Sequence, residues 1–466
     1  MQTPTVQSEI RRSWARIGSR FLPFADAATP DLPLSRLLRL SLFQVSVGMA
    51  LVLMIGTLTR VMIVELKVPA ALVGVMIALP LIFAPFRAII GFRSDHHRSA
   101  LGWRRVPYLW MGTMVQFGGL AIMPFALLVL SGMGHASHAP AWVGHMAAGI
   151  AFLLVGAGLH TTQTVGLALA TDLATPESRP KVVGLMYVML LLGMIVSAII
   201  FGAALAEFSP GRLIRVIQGA AIMTMVLNVT ALWKQESRSR GRAGAPAVAP
   251  DFRLSWQSFC EGEHAVRRLT AIGLGTMAFT MEDVLLEPYG GEILGLSVGA
   301  TTSLTAALAV GGLLGFGFAS RVLSRGADPL RLAAVGAAVG LPAFMLVIFS
   351  APLAMPPLFA LGTLLIGLGA GLFGHGTLTA TMNLAPASQS GLALGAWGAV
   401  QASGAGVAVA LGGIFRDIAA AAGGPAFGYM SVYALEVILL VITLIVMTPL
   451  IRRKSSFQDL GNNTPT

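Results

Sequence analysis

The chain has 466 residues, of which 55% are hydrophobic and 11% charged, with a formal net charge of +11. Soluble domains carry about 25% charged residues, so this composition excludes a water-soluble globular protein and predicts a polytopic membrane protein. The arginines flank apolar segments, which assigns the positive balance to membrane orientation rather than to nucleic acid. A single cysteine, Cys260, excludes an intramolecular disulfide and a cysteine metal cluster.

Residues 1–36 form a basic arm. Trp14, Ile17 and Phe21 recur at helical spacing beside a stripe of Arg12, Arg16 and Arg20, a pattern suited to an anionic lipid surface. No apolar core of signal-peptide length is present in this stretch. A spanning helix needs about 20 mostly apolar residues, and twelve segments qualify. They cover 37–63, 70–92, 106–131, 141–171, 180–206, 213–233, 265–289, 297–322, 330–350, 354–381, 390–416 and 427–451. Prolines punctuate the joins at Pro69, Pro140, Pro180, Pro210 and Pro329.

Basic residues cluster in the arm, after the second segment (Arg93, Arg98, Arg104, Arg105), in the middle (Lys234 to Arg253) and in the tail at 452–466 (Arg452, Arg453, Lys454). Both termini are therefore expected in the cytoplasm. The polar stretch 234–264 has linker composition and divides an N-terminal six-helix half, 37–233, from a C-terminal one, 265–451. Traces of an internal repeat support the division. "GFRSD" ends the second segment and "GFASR" the eighth; "HTTQT" lies in the fourth and "HGTLT" in the tenth. Two six-helix halves related as parallel repeats describe the all-α major facilitator architecture. The loop "GFRSDHHRSALGWRR" resembles the loop signature of that superfamily, with Asp95 as a carboxylate able to accept from an arginine or a helix N-terminus and to lock one conformation.

In that architecture segments one, four, seven and ten line the cavity. They carry the conspicuous polar residues: Gln44, Thr57, Thr59 and Arg60; His160 to Gln163; Glu282, Asp283 and Glu287; and His375, Thr377 and Asn383. Charged groups within a bilayer face an interior or a partner. Arg60 and the seventh-segment acids fall at similar depth, so an ion pair between them is expected. Asp283 and Glu287 are four residues apart and on an unbroken helix would share a face. Each histidine is either an axial ligand for a metallated macrocycle or an interhelical hydrogen-bonding group, with His160 ahead of His375 for ligand duty. His135, His138 and His145 lie near the outer face. Glycine-rich faces in segments eight and eleven are either docking surfaces or internal seams.

Four stretches together resemble one family: "SLFQVSVGMALVLMIGTLTRVMIVEL", "SDHHRSALGWRRVPY", "TQTVGLALATDLATPESRPKVVGLMYVMLLLGM" and "EDVLLEPYGGEILG". They are similar to the PucC/LhaA family of photosynthetic purple bacteria, a branch of the major facilitator superfamily, over about residues 20–450. The resemblance implies an assembly factor for light-harvesting complexes in the bacterial inner, photosynthetic membrane. It implies bacteriochlorophyll a as cargo, with carotenoid and lipid as further ligands. It implies the α and β antenna polypeptides as partners, with pigment-synthesis enzymes and the reaction centre behind them. The opening stretch is closer to LhaA-like members, which favours LH1 over LH2. Candidate pigment contacts are His160, as axial ligand to magnesium, with Gln163, His375, Glu282, Asp283 and Glu287. Candidate conformational or ion-pair residues are Arg60, Asp95, Arg104, Arg105, Asp172, Glu177 and Arg179. Two other function classes compete. A proton-coupled carrier of a small organic solute would use Asp283 or Glu287 as its switch. A pigment prenyltransferase would need aspartate-rich diphosphate motifs, of which only one D-x-x-x-E, Asp283 to Glu287, is present.

Overall fold

The computed structural model describes residues 28–29, 32–82, 90, 94, 103–131, 140–175, 178–236, 264–384 and 390–461. At 141, 179–180, 384, 390–395 and 452–461 it describes the backbone alone. The arm up to residue 27, Asp95, His135, His138, Glu177 and most of the expected linker lie outside these residues, and the Arg179 side chain is likewise not described.

The described residues form α1 (Leu34–Glu65), α2 (Ala70–Ile82), α3 (Val106–Leu130), α4 (Ala141–Leu173), α5 (Arg179–Ala204) and α6 (Pro210–Leu232). They continue as α7 (Ala265–Glu292), α8 (Val298–Ser324), α9 (Pro329–Ser350), α10 (Pro356–Leu384), α11 (Ser390–Gly423) and α12 (Pro425–Gly461). Eleven are long and apolar enough to cross a membrane. The described part of α2 has 13 residues. α12 runs ten residues past the expected end at 451, into the basic tail.

Helix starts follow local chemistry. Proline occupies the first turn of α3, α5, α6 and α9, where its missing N–H costs nothing. Ser209, Ser297 and Asp328 cap α6, α8 and α9 by accepting from first-turn N–H groups at 3.2, 3.2 and 2.8 Å.

Successive helices run antiparallel, so the bundle has a near end, holding the start of α1, and a far end, holding its finish. The first six helices meet the last six chiefly through α2 with α11 and α5 with α8. These seams use small residues, because in lipid close backbone approach drives association. A Cβ at Gly413 of α11 would collide with the Ala70 carbonyl of α2. The glycines of α8 are mostly an internal seam: Gly311 and Gly315 pack on the α10 backbone, whereas Gly317 faces open space.

Candidate functional site

Helix α7 is broken where the sequence reads "FTMEDVLLEPYGG". Pro288 lacks an N–H, and its ring would clash with the carbonyl one turn earlier. The α-helix therefore stops at Thr280 and Met281–Val284 form a 3₁₀ turn. The helix resumes over Leu286–Glu292. Opposite this break α1 is itself irregular, with wide π turns at Val52–Thr57 and Val61–Glu65. Such turns cluster at functional sites.

The break separates the acids that an unbroken helix would align. Glu287 points to α8 and α1. Its Oε1 accepts from Thr305 at 2.5 Å and its Oε2 from Thr302 at 3.3 Å, while Thr302 also meets Thr57 of α1 at 3.2 Å. Gly56 leaves room for this carboxylate, which a Cβ there would strike. Asp283 points instead into a cavity. The expected shared face of Asp283 and Glu287 is thus lost.

Arg60 does not form the expected pair with these acids. Its Nη1 lies 3.0 Å from Glu65 Oε1 and its Nη2 donates to the Leu296 carbonyl at 3.3 Å. The π turn at Val61–Glu65 brings Glu65 onto the face of Arg60. Its guanidinium crosses Gly291 of α7, where a Cβ would collide with it.

The cavity has a volume of about 290 Å³ and lies between α5 and helices α7, α8, α10 and α11. Its wall is largely apolar, with the rings of Tyr187, Phe279, Phe316 and Trp397; its polar groups include Glu282, Asp283, His375 and Gln401, and among the described residues no lysine or arginine lines it. The His375 imidazole lies against Phe316, ring centroids 4.2 Å apart. Trp397 Nε1 donates to Thr377 at 3.3 Å. Glu282, Asp283 and His375 are therefore brought together, while His160 and Gln163 are not in this wall.

At the near end, Asp172 Oδ2 accepts from Arg104 Nη2 at 2.5 Å and Arg105 Nε at 3.0 Å. Arg105 Nη1 also donates to Ser94 at 2.7 Å. Glu236, just past α6, caps α3 by accepting from the N–H groups of Arg104, Arg105 and Val106 at 2.8 to 3.1 Å. These contacts join helices within the first six, so among the described residues they brace that set rather than lock it to the last six. At the far end, Arg416 of α11 pairs with Glu292 at 2.7 Å and lies 4.5 Å from the centre of the Tyr429 ring, whose hydroxyl donates to the same carboxylate at 2.8 Å.

Against known proteins, the family model described as PUCC protein matches residues 57–455. The chain belongs to the PucC family. Protein PucC of Rhodovulum sulfidophilum is 65% identical over 408 residues, covering 86% of this chain and 89% of that protein. Protein PucC of Cereibacter sphaeroides is 58% identical over 450 residues, covering 96% and 98%. A more distant relative in Rhodobacter capsulatus, 29% identical over 393 residues and covering 82% and 87%, is named Bacteriochlorophyll synthase 44.5 kDa chain. Among solved structures, a bacterial homologue of the lysosomal transporter Spinster, inward-facing, aligns with TM-score 0.63 at 14% identity, covering 89% of this chain and 95% of that one. The nucleoside transporter NupG aligns with the same score and identity, covering 89% and 98%. This PucC-family chain is therefore a multi-pass membrane protein with a major facilitator-type fold, of a family whose name ties it to photosynthesis.

Around the cavity of this PucC-family chain lie further buried polar residues on α12. Glu436 and Tyr433 of α12 are fully buried and lie within electrostatic reach of Glu282. Glu436 was visible as a lone carboxylate in "YALEVILLV", and Arg416 and Asp417 as a charged pair in "GIFRDIAA".

Proposed function

We propose that this protein is an assembly factor for purple-bacterial light-harvesting complexes, residing in the photosynthetic inner membrane with both termini cytoplasmic. It binds bacteriochlorophyll a and delivers it to α and β antenna polypeptides. The observation that carries this reading is the aromatic cavity with the His375 imidazole in its wall, in a chain of the PucC family. A neutral imidazole is a suitable axial ligand for a magnesium tetrapyrrole, and Phe316 positions it. His375 replaces His160 as the first candidate for that duty. Carotenoid and lipid are further ligands for the same apolar surfaces. The division into six-helix halves at 37–233 and 265–451, joined by the 234–264 linker, supplies the two bodies between which cargo is held.

The opening stretch favours LH1 as client, whereas the PucC names of relatives at 65% and 58% identity weigh toward LH2. Deletion of the gene separates them by which ring is lost while pigment synthesis continues. We propose no catalytic role. Asp283 faces the cavity and Glu287 is engaged by Thr302 and Thr305, so the single D-x-x-x-E does not form one diphosphate site. A deletion that blocked pigment synthesis would overturn this.

One observation favours a second reading, a carrier of a small organic solute. At about 290 Å³ the cavity lies near the lower bound of the roughly 300–1,000 Å³ typical of ligand pockets, and a whole tetrapyrrole with its long isoprenoid tail exceeds it. The test is purification of the tagged protein in mild detergent from a pigment-making host. Near-infrared bacteriochlorophyll bands with α or β polypeptides support delivery. A colourless, solitary protein that transports solute in vesicles supports the carrier.

A further inference from the structure

The acids of α7 receive unequal treatment. Glu287 has a hydroxyl donor on each oxygen. Glu282, one position from the cavity-facing Asp283, is 1% exposed, and its Oε2 receives no hydrogen bond among the described residues. Opposite it on α12, Glu436 is 0% exposed and neither of its oxygens receives a side-chain hydrogen bond among the described residues, the Glu282 backbone N–H being the donor within reach. The Tyr433 hydroxyl, also at 0% exposure, is likewise unpartnered and lies within electrostatic reach of both carboxylates. The titratable groups facing the pair are Asp283 on α7, Tyr433 on α12, Tyr289 and Tyr429 behind Tyr433, and His375 across the cavity.

Carboxylates held in a membrane interior without a cation are costly, and here the Glu282 and Glu436 carboxylates and the Tyr433 hydroxyl lie within electrostatic reach of one another. Glu282 also belongs to the cavity wall, so the spot has an entrance. The break at Met281–Val284 places it where a discontinuous helix exposes backbone groups, a recurrent setting for ion sites in carriers.

We propose that Glu282, Glu436 and Tyr433 form a binding site for one monovalent cation, a proton or a sodium ion, entered from the cavity between α5 and α7. The site ties α7 to α12 when loaded and leaves two unshielded carboxylates when empty. Cavity occupancy and cation binding are thereby coupled, because Glu282 belongs to both. This inference does not depend on what the cavity carries.

The test uses the full-length protein in lipid nanodiscs without added pigment. The melting temperature is followed against pH in sodium-free buffer of constant ionic strength, and against sodium with choline as replacement at fixed pH. A ligand that binds the folded state stabilises it in proportion to its loading. A proton site therefore gives a melting temperature that falls as pH rises, and a sodium site gives one that climbs with sodium and saturates. Glu436→Gln is expected to abolish that dependence. If Glu436→Gln does not fold, Glu282→Gln serves the same purpose, and Tyr433→Phe is expected to weaken the dependence without abolishing it. A wild-type protein indifferent to both cations, or glutamine variants that keep the full dependence, would overturn the proposal. Because no pigment is present, these outcomes are separate from those that decide the pigment-delivery reading.

Discussion

Asp417 of α11 accepts the backbone N–H of Ala71 at 2.8 Å, so a side chain from the last six helices caps a helix of the first six. It does so beside Gly413, where α11 touches the Ala70 carbonyl, and next to the Arg416–Glu292 pair. The far end of the bundle is thus held together by polar contacts as well as by close backbone packing.

Asp417→Ala is expected to cost about 0.5–2 kcal/mol of cap energy and to loosen the far end. Labelling of a Thr57→Cys variant by a water-soluble maleimide, in a Cys260→Ser background, should then accelerate, while Asp417→Asn, which keeps an acceptor, should label near the parent rate. If Asp417→Ala labels no faster, the cap does not hold this end together.

Glu287→Ala strands the hydroxyl of Thr305 in a buried site and leaves Thr302 with Thr57 alone, and should destabilise the protein by about 1–3 kcal/mol. Glu287→Gln, which can still accept from one threonine and donate to the other, should lose much less. The comparison is made by thermal melting in detergent. Equal losses would mean that charge, not hydrogen bonding, is what the site needs.

Gly291→Ala pushes a methyl into the Arg60 guanidinium and should lower stability by about 1–3 kcal/mol, the usual cost of overpacking. Gly317→Ala, at a position with open space around it, should melt like the parent. A Gly291→Ala protein as stable as the Gly317→Ala control would show that Arg60 can move aside freely.

His375→Leu should reduce the bacteriochlorophyll that accompanies the purified protein, and His160→Leu should leave it near the parental amount. Absorbance per mole of protein gives the answer. The reverse pattern would move the ligand to α4.

Helix existence was legible because apolar runs of spanning length are unambiguous. The segment expected over 106–131 is α3 at Val106–Leu130, and that over 330–350 is α9 at Pro329–Ser350. The break in α7 is present in the letters as Pro288, but the continuous hydropathy around it predicts one unbroken span. The Arg60–Glu65 pair was hidden for another reason. Regular helical spacing joins residues three or four apart, and these are five apart, brought together by a π turn that no apolar pattern announces. Glu236 was assigned to a linker by composition, yet it caps α3. Glu436 is not legible as a site residue because a lone carboxylate on α12 lies outside the helices that line cavities in the major facilitator arrangement, and only the packing of α12 against the broken stretch of α7 brings it to Glu282.

The two wide turns of α1 have a consequence for insertions and deletions. Each accommodates roughly one extra residue relative to a regular helix, and one residue corresponds to about 100° of rotation about the axis. Everything beyond Val52–Thr57 is thus phased by that surplus. Removing a single residue there would restore a regular spiral and swing Arg60 about a quarter-turn away from Gly291 and Leu296. Chain length between Leu51 and Glu65 is therefore expected to be less negotiable than the identity of most side chains within it, a constraint written in the count of residues rather than in their chemistry.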